Sequence, residues 1–479
     1  MTQDNLKQQV LHSIKWVALG KAATQLIRWI ITFWVIRLLT PEDYGEVAMA
    51  DVLFGFFTLM LGSFITPSII QAKELSTHTL KKLFGAIILV YCTFFIVQLS
   101  LADAVGRYYQ SSNVADILSL NAWCFLILIF QVIPAALMYR EMDFKKLAII
   151  TAIATVFATL VTLALALMGY GFWSIIWGEI VLVVVKTVLV FAVKPLWLLP
   201  DFKLKPILPM IKFGGLLTLN AILFYVFLHM DIMIAGRILS PMEVGLFAVG
   251  LQFALMPQKK ILPLLRQVAF PAFSKIQDNK ARVNHYILKA QRLSFLATVP
   301  IFWGLASVVD VVIPLILGEK WVGAVMPAMI VLFIMPLRFS DELFNPAIKG
   351  IGNARHMLIN ALISIPILFV GIVAFSDMGA IGIAIAWAVS YPLIYVVVVG
   401  RNCGLFNITI KQFLKSMLPP ISAGILMLVF VFAAKQAFTG INITSLIVQV
   451  AAGGIVYVLT LFFVHKASIK ELKSLLKTT

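Results

Sequence analysis

Apolar residues along this chain come in long unbroken runs, and short polar stretches separate them. Fourteen runs can be marked. The first six lie at about 14–38, 46–70, 83–106, 115–138, 147–168 and 171–193, and the next six at about 212–236, 243–268, 292–317, 322–348, 356–376 and 380–400. Two more follow, at about 413–436 and 443–465. Each approaches or exceeds the roughly 20 residues that an α-helix needs to cross the hydrocarbon core of a bilayer. A closed β-barrel would alternate polar and apolar positions, and lipid permits no third way of satisfying the backbone. The pattern therefore predicts an all-α integral membrane protein with fourteen transmembrane helices. Turn residues punctuate the runs at Thr40-Pro41, Gly169-Tyr170-Gly171, Ser240-Pro241, Gly318 and Gly379.

Charge gives these helices a direction. With the N-terminus inside, 29 of the 38 Lys and Arg residues fall in the tails and loops of one side, and 5 fall on the other. Such asymmetry is the positive-inside signature, and it sets both termini in the cytoplasm. An error of one helix would scramble every later loop. The formal net charge of +17 is thus spent on topology, and nucleic acid is not expected as a partner. The polar start MTQDNLKQQ precedes a full span, so a cleavable leader is not expected. Cys92, Cys124 and Cys403 share no ligand spacing and read as small core residues.

A repeat divides the chain. Arg37-Leu-Leu-Thr-Pro-Glu-Asp-Tyr-Gly45 returns 200 residues later as Arg237-Ile-Leu-Ser-Pro-Met-Glu-Val-Gly245. Met168-Gly169 before Trp177 likewise returns as Met378-Gly379 before Trp387. Six helices is an even number, so both copies share one orientation, as in parallel transporter repeats. The expected organisation is a six-helix bundle at 1–200, a second at 201–404, and two further helices with a cytoplasmic tail at 405–479. Paired bundles of this kind imply a cleft that opens to alternate sides. The longest loop, about 257–291, mixes Lys259, Lys260, Arg266, Lys275, Lys280, Arg282 and Lys289 with apolar residues. It is expected to lie along the anionic inner leaflet.

Four cations remain inside the spans: Lys21, Arg28, Lys186 and Arg338. A mid-helix Lys or Arg costs roughly 2.5 to 3.5 kcal/mol on insertion scales, so each needs a reason. Lys21 lies near enough to the cytoplasmic end for its stem to snorkel, whereas Arg28 and Arg338 lie near mid-span. Several cations in a cavity call for an anionic passenger. Arg engages phosphate oxygens bidentately and Lys acts as a point charge. Lys186 has a competing partner in Glu179, seven residues before it. Buried acids are candidates for coupling to an ion gradient, Asp231 (beside His229) and Glu179 foremost. Neutralising a buried cation is the simpler role for each. No catalytic residues, metal ligands or bound cofactor are expected beyond coupling to H+ or Na+.

Four segments carry a resemblance: Ser13-Ile-Lys-Trp-Val17, the Arg37–Gly45 turn, Phe270-Pro-Ala-Phe-Ser-Lys-Ile-Gln-Asp278 and Leu317-Gly-Glu-Lys-Trp321. Together they look like the Wzx-type polysaccharide exporters of the multidrug/oligosaccharidyl-lipid/polysaccharide (MOP) superfamily, most of all their colanic-acid-exporter-like branch. The resemblance covers nearly the whole chain. It implies the MOP flippase fold in the bacterial inner membrane, and translocation of undecaprenyl-pyrophosphate-linked oligosaccharide to the periplasmic leaflet by alternating access. It also implies cavity cations on the first helix, which agrees with Arg28. A sodium site between the seventh and eleventh helices of some relatives points to Asp231 with Asn360. Expected partners are the lipid-linked glycan, anionic lipids and the polysaccharide polymerase and export machinery, with a single chain as the transport unit. A multidrug antiporter of the same fold is the main rival, although cavity cations disfavour a cationic drug. A membrane polymerase or ligase would need catalytic residues on a larger aqueous loop than any here.

Overall fold

In the computed structural model, the described residues are 28–464 without 65, 73–74, 277–278 and 439. Lys21 lies outside them. All regular structure among them is helical. The order begins with α1 (residues 28–38), α2 (Pro41–Phe64), α3 (Thr66–Gln71), α4 (Thr77–Tyr109), α5 (Ser112–Arg140), α6 (Phe144–Leu167) and α7 (Trp173–Val193). It continues with α8 (Leu208–Ile238), α9 (Pro241–Ile276), α10 (Lys280–Leu317), α11 (Val325–Glu342), α12 (Phe344–Gly350) and α13 (Ala354–Phe375). Last come α14 (Gly379–Leu405), α15 (Ile410–Ala437) and α16 (Ile443–Phe463).

Helix starts follow from local chemistry. Ser76, Ser111, Asn279, Asn353 and Asn442 each accept the amide N–H three residues on, which satisfies one of the orphan donors of a first turn. Thr409 and Gln412 close a full capping box at α15. Asp143 caps α6, and its bond to the Lys146 ammonium holds its carboxyl below the usual range. One expected span is interrupted, where α11 gives way to α12 at Leu343. Ten stretches among the described residues are long and apolar enough to cross a membrane, one of which, Arg355–Leu405, takes in α14 and all but the first residue of α13. The chain is a multi-pass membrane protein.

Two compact units divide it, Met1–Tyr225 and Val226–Thr479. In the first, α4 packs with α5, α6 with α7, and α5 with both α2 and α7. Stacked Phe54 and Phe125, at 5.5 Å, join α2 to α5. The extended stretch 195–204, where the bundle boundary was expected, is held against α4. The Asp201 amide donates to the Lys81 carbonyl at 3.0 Å, and Gly85 provides the missing Cβ that lets the Asp201 backbone approach. That linker therefore belongs with the first unit.

In the second unit α10, α11 and α14 form the centre, with α9 and α13 packed around them. The α15–α16 hairpin lies on α10. Its fit depends on Gly424, where a Cβ would meet Val299 and Trp303. Tyr457 donates to the Leu296 carbonyl at 3.0 Å, and Lys435 pairs with both oxygens of Asp310 at 2.7 Å. The last two helices thus pack within this unit.

The expected loop at 257–291 is instead helical. Its described residues are the ends of α9 and α10, together with Asn279, which caps α10. With 36 and 38 residues, these helices run about 54 and 57 Å, well beyond the roughly 30 Å core. The reason is visible in the apolar positions. Leu262, Phe273, Val283 and Ile287 are buried within the protein, so they serve packing rather than insertion into a leaflet.

Candidate functional site

The charged residues foreseen within spans separate into three places. In the first unit, Arg28 is exposed at the start of the described part of α1, and Lys186 is half-buried on α7. Glu179 is also half-buried, two turns before Lys186 on the same face of α7. No ion pair joins the two among the described residues. Glu179 instead comes within electrostatic reach of another acid, Asp51 of α2. Beside Asp51, the Tyr225 hydroxyl donates to the Asp51 and Val52 carbonyls at 3.2 and 3.0 Å.

The second unit builds a denser cluster. Asp231 of α8 is fully buried. Its Oδ1 accepts the Ile232 amide at 2.8 Å, and its Oδ2 accepts the Trp387 indole N–H at 3.0 Å. Over the face of that indole stands Arg338, whose Cζ is 4.3 Å from the ring centroid. Tyr391 adds a second ring face at 5.7 Å. Trp387, Tyr391 and Tyr395 recur every fourth residue of α14, so they share one face. Arg338 and Asp341 share a face of α11 in the same way. Tyr391 donates to Asp341 Oδ2 at 3.4 Å. Deeper in, Ser340 joins Gln291 and Tyr395 through bonds of 2.6 and 2.7 Å.

Magnitudes show how Arg338 is tolerated. A desolvated cation over an indole gains about 2 kcal/mol, which offsets much of the roughly 2.5 to 3.5 kcal/mol for an Arg at mid-span. Its Nη1 nevertheless has no hydrogen-bond partner among the described residues, and such an orphan costs about 1 to 3 kcal/mol. The stack holds the cation without satisfying it.

The structure sets Asn360 apart from Asp231. Asn360 Nδ2 donates to Asn402 Oδ1 at 3.0 Å, and its Oδ1 accepts from Arg401 Nε at 3.0 Å. His356 reaches the same Asn402 oxygen at 2.9 Å. Asn402 lies fifteen residues beyond Trp387 on α14, about 22 Å along the axis. The two do not form one ion site in this structure. Among the described residues no three His, Cys, Asp or Glu side chains group as a metal centre. Trp387 and Tyr391 were not foreseen as site residues. Their signal was polar-tipped aromatics at fourth-residue spacing on an otherwise aliphatic helix.

The chain is an all-α, multi-pass bundle, and solved structures share its fold. The lipid II flippase MurJ, in its inward closed conformation, matches with a TM-score of 0.76 at 14% identity, covering 94% of this chain and 99% of that one. An inward-facing multidrug resistance MATE family transporter matches with a TM-score of 0.59 at 14% identity, covering 81% and 98%. The chain belongs to the polysaccharide biosynthesis protein family, whose model matches residues 35–326. Similar proteins include an uncharacterized membrane protein of the cps region in Klebsiella pneumoniae, 25% identical over 99% of both chains. The succinoglycan biosynthesis transport protein ExoT of Rhizobium meliloti (strain 1021) is 21% identical over 98% of this chain and 96% of its own. The lipopolysaccharide biosynthesis protein WzxC of Escherichia coli (strain K12) is 25% identical over 76% and 72%.

Proposed function

We propose that this chain is a flippase. It moves undecaprenyl-pyrophosphate-linked oligosaccharide repeat units from the cytoplasmic to the periplasmic leaflet of the bacterial inner membrane, for assembly of exopolysaccharide, capsule or O-antigen. The observation that carries the reading is a buried arginine, Arg338, in a family of polysaccharide biosynthesis proteins. Such a cation suits an anionic passenger, whereas a cationic drug would meet repulsion. Relatives named for succinoglycan transport and lipopolysaccharide biosynthesis, and a lipid II flippase of the same fold, support it.

In this reading fourteen helices span the membrane with both termini cytoplasmic, as the 29-to-5 charge asymmetry favours. The protein performs no covalent step. It exposes the passenger to each leaflet in turn, with Arg28, Lys21 and Lys186 as further contacts for phosphate or acidic sugar. An ion gradient drives the cycle through Asp231 or Glu179. The transport unit is one chain, working beside the polymerase and export machinery.

Deletion of the gene tests this. Lipid-linked repeat units should accumulate on the cytoplasmic leaflet, and surface polymer should fall. Unchanged levels of both would remove the flippase reading.

A further inference from the structure

The extended strap between α7 and α8 is apolar on both faces. Leu196 and Leu198 are half-buried, and Pro195, Trp197 and Leu199 alternate with them outward. Alternation of this kind belongs to an extended chain, but a strap over water would carry polar side chains on its outer face. Here Trp197 is 87% exposed and Leu199 78%, and Phe202 follows as a third exposed apolar side chain. Phe191 of α7 steadies the Trp197 ring edge-on, with centroids 5.2 Å apart. The strap starts just past Val193, where the 21-residue α7 ends. A helix of that length is about 31 Å long, which matches the hydrocarbon core. The outer face of the strap thus stands where a span leaves the lipid.

Beneath the strap lies a cation without a partner. His78, Lys82 and Gly85 share one face of α4. His78 Nδ1 comes within 3.9 Å of Asp201 Oδ2, and Gly85 lies against the Asp201 backbone, so Lys82 between them is set under the strap. Lys82 is 7% exposed and forms no hydrogen bond or ion pair with another described residue. A buried charge calls for a counter-charge, yet the local acids are engaged elsewhere. Asp201 Oδ1 accepts the Lys203 amide at 2.9 Å, and Glu141 holds Lys194 through both oxygens at 2.5 and 2.7 Å. Lys203 and Lys205 add two exposed cations to the strap's end.

We infer that the strap is an inner-leaflet anchor that binds an anionic phospholipid. Trp197, Leu199 and Phe202 enter the interfacial layer, where amphipathic rings are favoured. The Lys82 ammonium takes the headgroup phosphate as a point charge, and Lys203 and Lys205 strengthen the attraction to the anionic surface. The lipid so held is a resident of the bilayer, not the transported molecule. The inference uses the flippase reading only for the side of the membrane that the strap faces.

Two measurements on the full chain test it. In nanodiscs of mixed phosphatidylcholine and phosphatidylglycerol, native mass spectrometry reads which lipid stays bound. The wild type should retain phosphatidylglycerol preferentially, and Lys82→Gln should lower that preference about fivefold, the worth of one lysine near an anionic surface. Lys82→Arg should keep most of it. Lys411→Gln, at an exposed cation near the start of α15, should leave it nearly unchanged. Wild-type preference in Lys82→Gln, or an equal loss in Lys411→Gln, would overturn the lipid site. Trp197→Ser carries the test if Lys82→Gln fails to fold: retention should fall several-fold, and unchanged retention would overturn the proposal.

Brominated phosphatidylcholine then locates the strap. The fluorescence that Trp197→Phe removes should be quenched by bromines near the headgroup end of the acyl chains and shielded from aqueous acrylamide. Full quenching by acrylamide with none by bromine would put Trp197 in water and overturn the anchor. Neither readout involves translocation. Selective retention by a chain that moves no lipid-linked glycan would remove the flippase reading and leave the anchor standing, and translocation without any lipid preference would do the reverse.

Discussion

Asp43 Oδ1 accepts the backbone N–H of Phe172 at 2.9 Å, across 129 residues of chain. Its other oxygen takes the Thr40 amide and hydroxyl at 2.8 and 2.7 Å, closing a cap at the start of α2. One carboxylate thus clasps the first turn of α2 to the turn before α7. Gly171 makes this possible, because a Cβ there would stand 2.8 Å from the same Oδ1. The second unit places an acid at the corresponding position. Glu243 accepts from Ser240 at 3.3 Å and reaches Gly379 with its other oxygen. The 200-residue echo in the sequence therefore sets an acid against the corresponding glycine turn in each unit.

Asp43→Ala removes a cap and leaves the Phe172 amide unpaired. A lost cap costs about 1 kcal/mol and a buried orphan donor about 1 to 3 kcal/mol, so the expected loss is about 2 to 4 kcal/mol. Thermal unfolding of the purified protein should begin several degrees lower, with Asp43→Asn in between. An unchanged melting temperature would show the clasp to be incidental.

Gly379 adopts φ 67 and ψ −149, a backbone region essentially confined to glycine that costs other residues about 1 to 3 kcal/mol, and it lies against Glu243. Gly379→Ala should therefore destabilise the second unit by more than that strain alone. Shortening the acid separates the two effects: Glu243→Asp in the Gly379→Ala background should restore part of the melting temperature. Identical melting with and without the shortened acid would reduce the effect to backbone strain.

The α15–α16 hairpin is seated through Gly424. A branched side chain there overpacks the contact with Val299 and Trp303, typically by about 1 to 3 kcal/mol. Gly424→Val should lower stability and speed proteolysis of the C-terminal hairpin, while Gly454→Val, where nothing lies within 4 Å, should do neither. Equal sensitivity at both positions would contradict the docking described.

Coupling makes a separable prediction. Asp231 is buried and held by two N–H donors. Asp231→Asn should therefore blunt the response of transport to pH or sodium gradients more than it lowers gradient-free exchange. A variant that keeps its full response would exclude Asp231 from coupling and leave Glu179 to be tested in the same assay.

Much of the fold was legible because lipid imposes a simple rule on the sequence: long apolar runs must be helices. Each of the fourteen runs has helix among the described residues, and the turn motif marked a repeated structural joint. The α9–α10 extension was not legible, since cations among apolar residues suit a leaflet surface and a protruding helical pair equally. Only the burial of Phe273 and Ile287 decides between them. Arg338 could be singled out by its charge alone. Its stacking partner Trp387 comes from 49 residues further on, and the register of α11 against α14 is set by tertiary packing. Asn360 meets Asn402 and Asp231 meets Trp387, two positions far apart along α14, a separation that no local pattern announces.

The account turns on the movement of a lipid-linked anion. The most direct measurement is reconstitution of the purified chain into vesicles containing a fluorescently labelled undecaprenyl-pyrophosphate oligosaccharide. Its leaflet is then read by an impermeant quencher or glycan-cleaving enzyme. The account predicts that lipid trapped in the inner leaflet becomes accessible only when the protein is present, and that Arg28→Ala and Arg338→Ala each slow this at least several-fold. Accessibility equal to protein-free vesicles, under any imposed pH or sodium gradient, would contradict it.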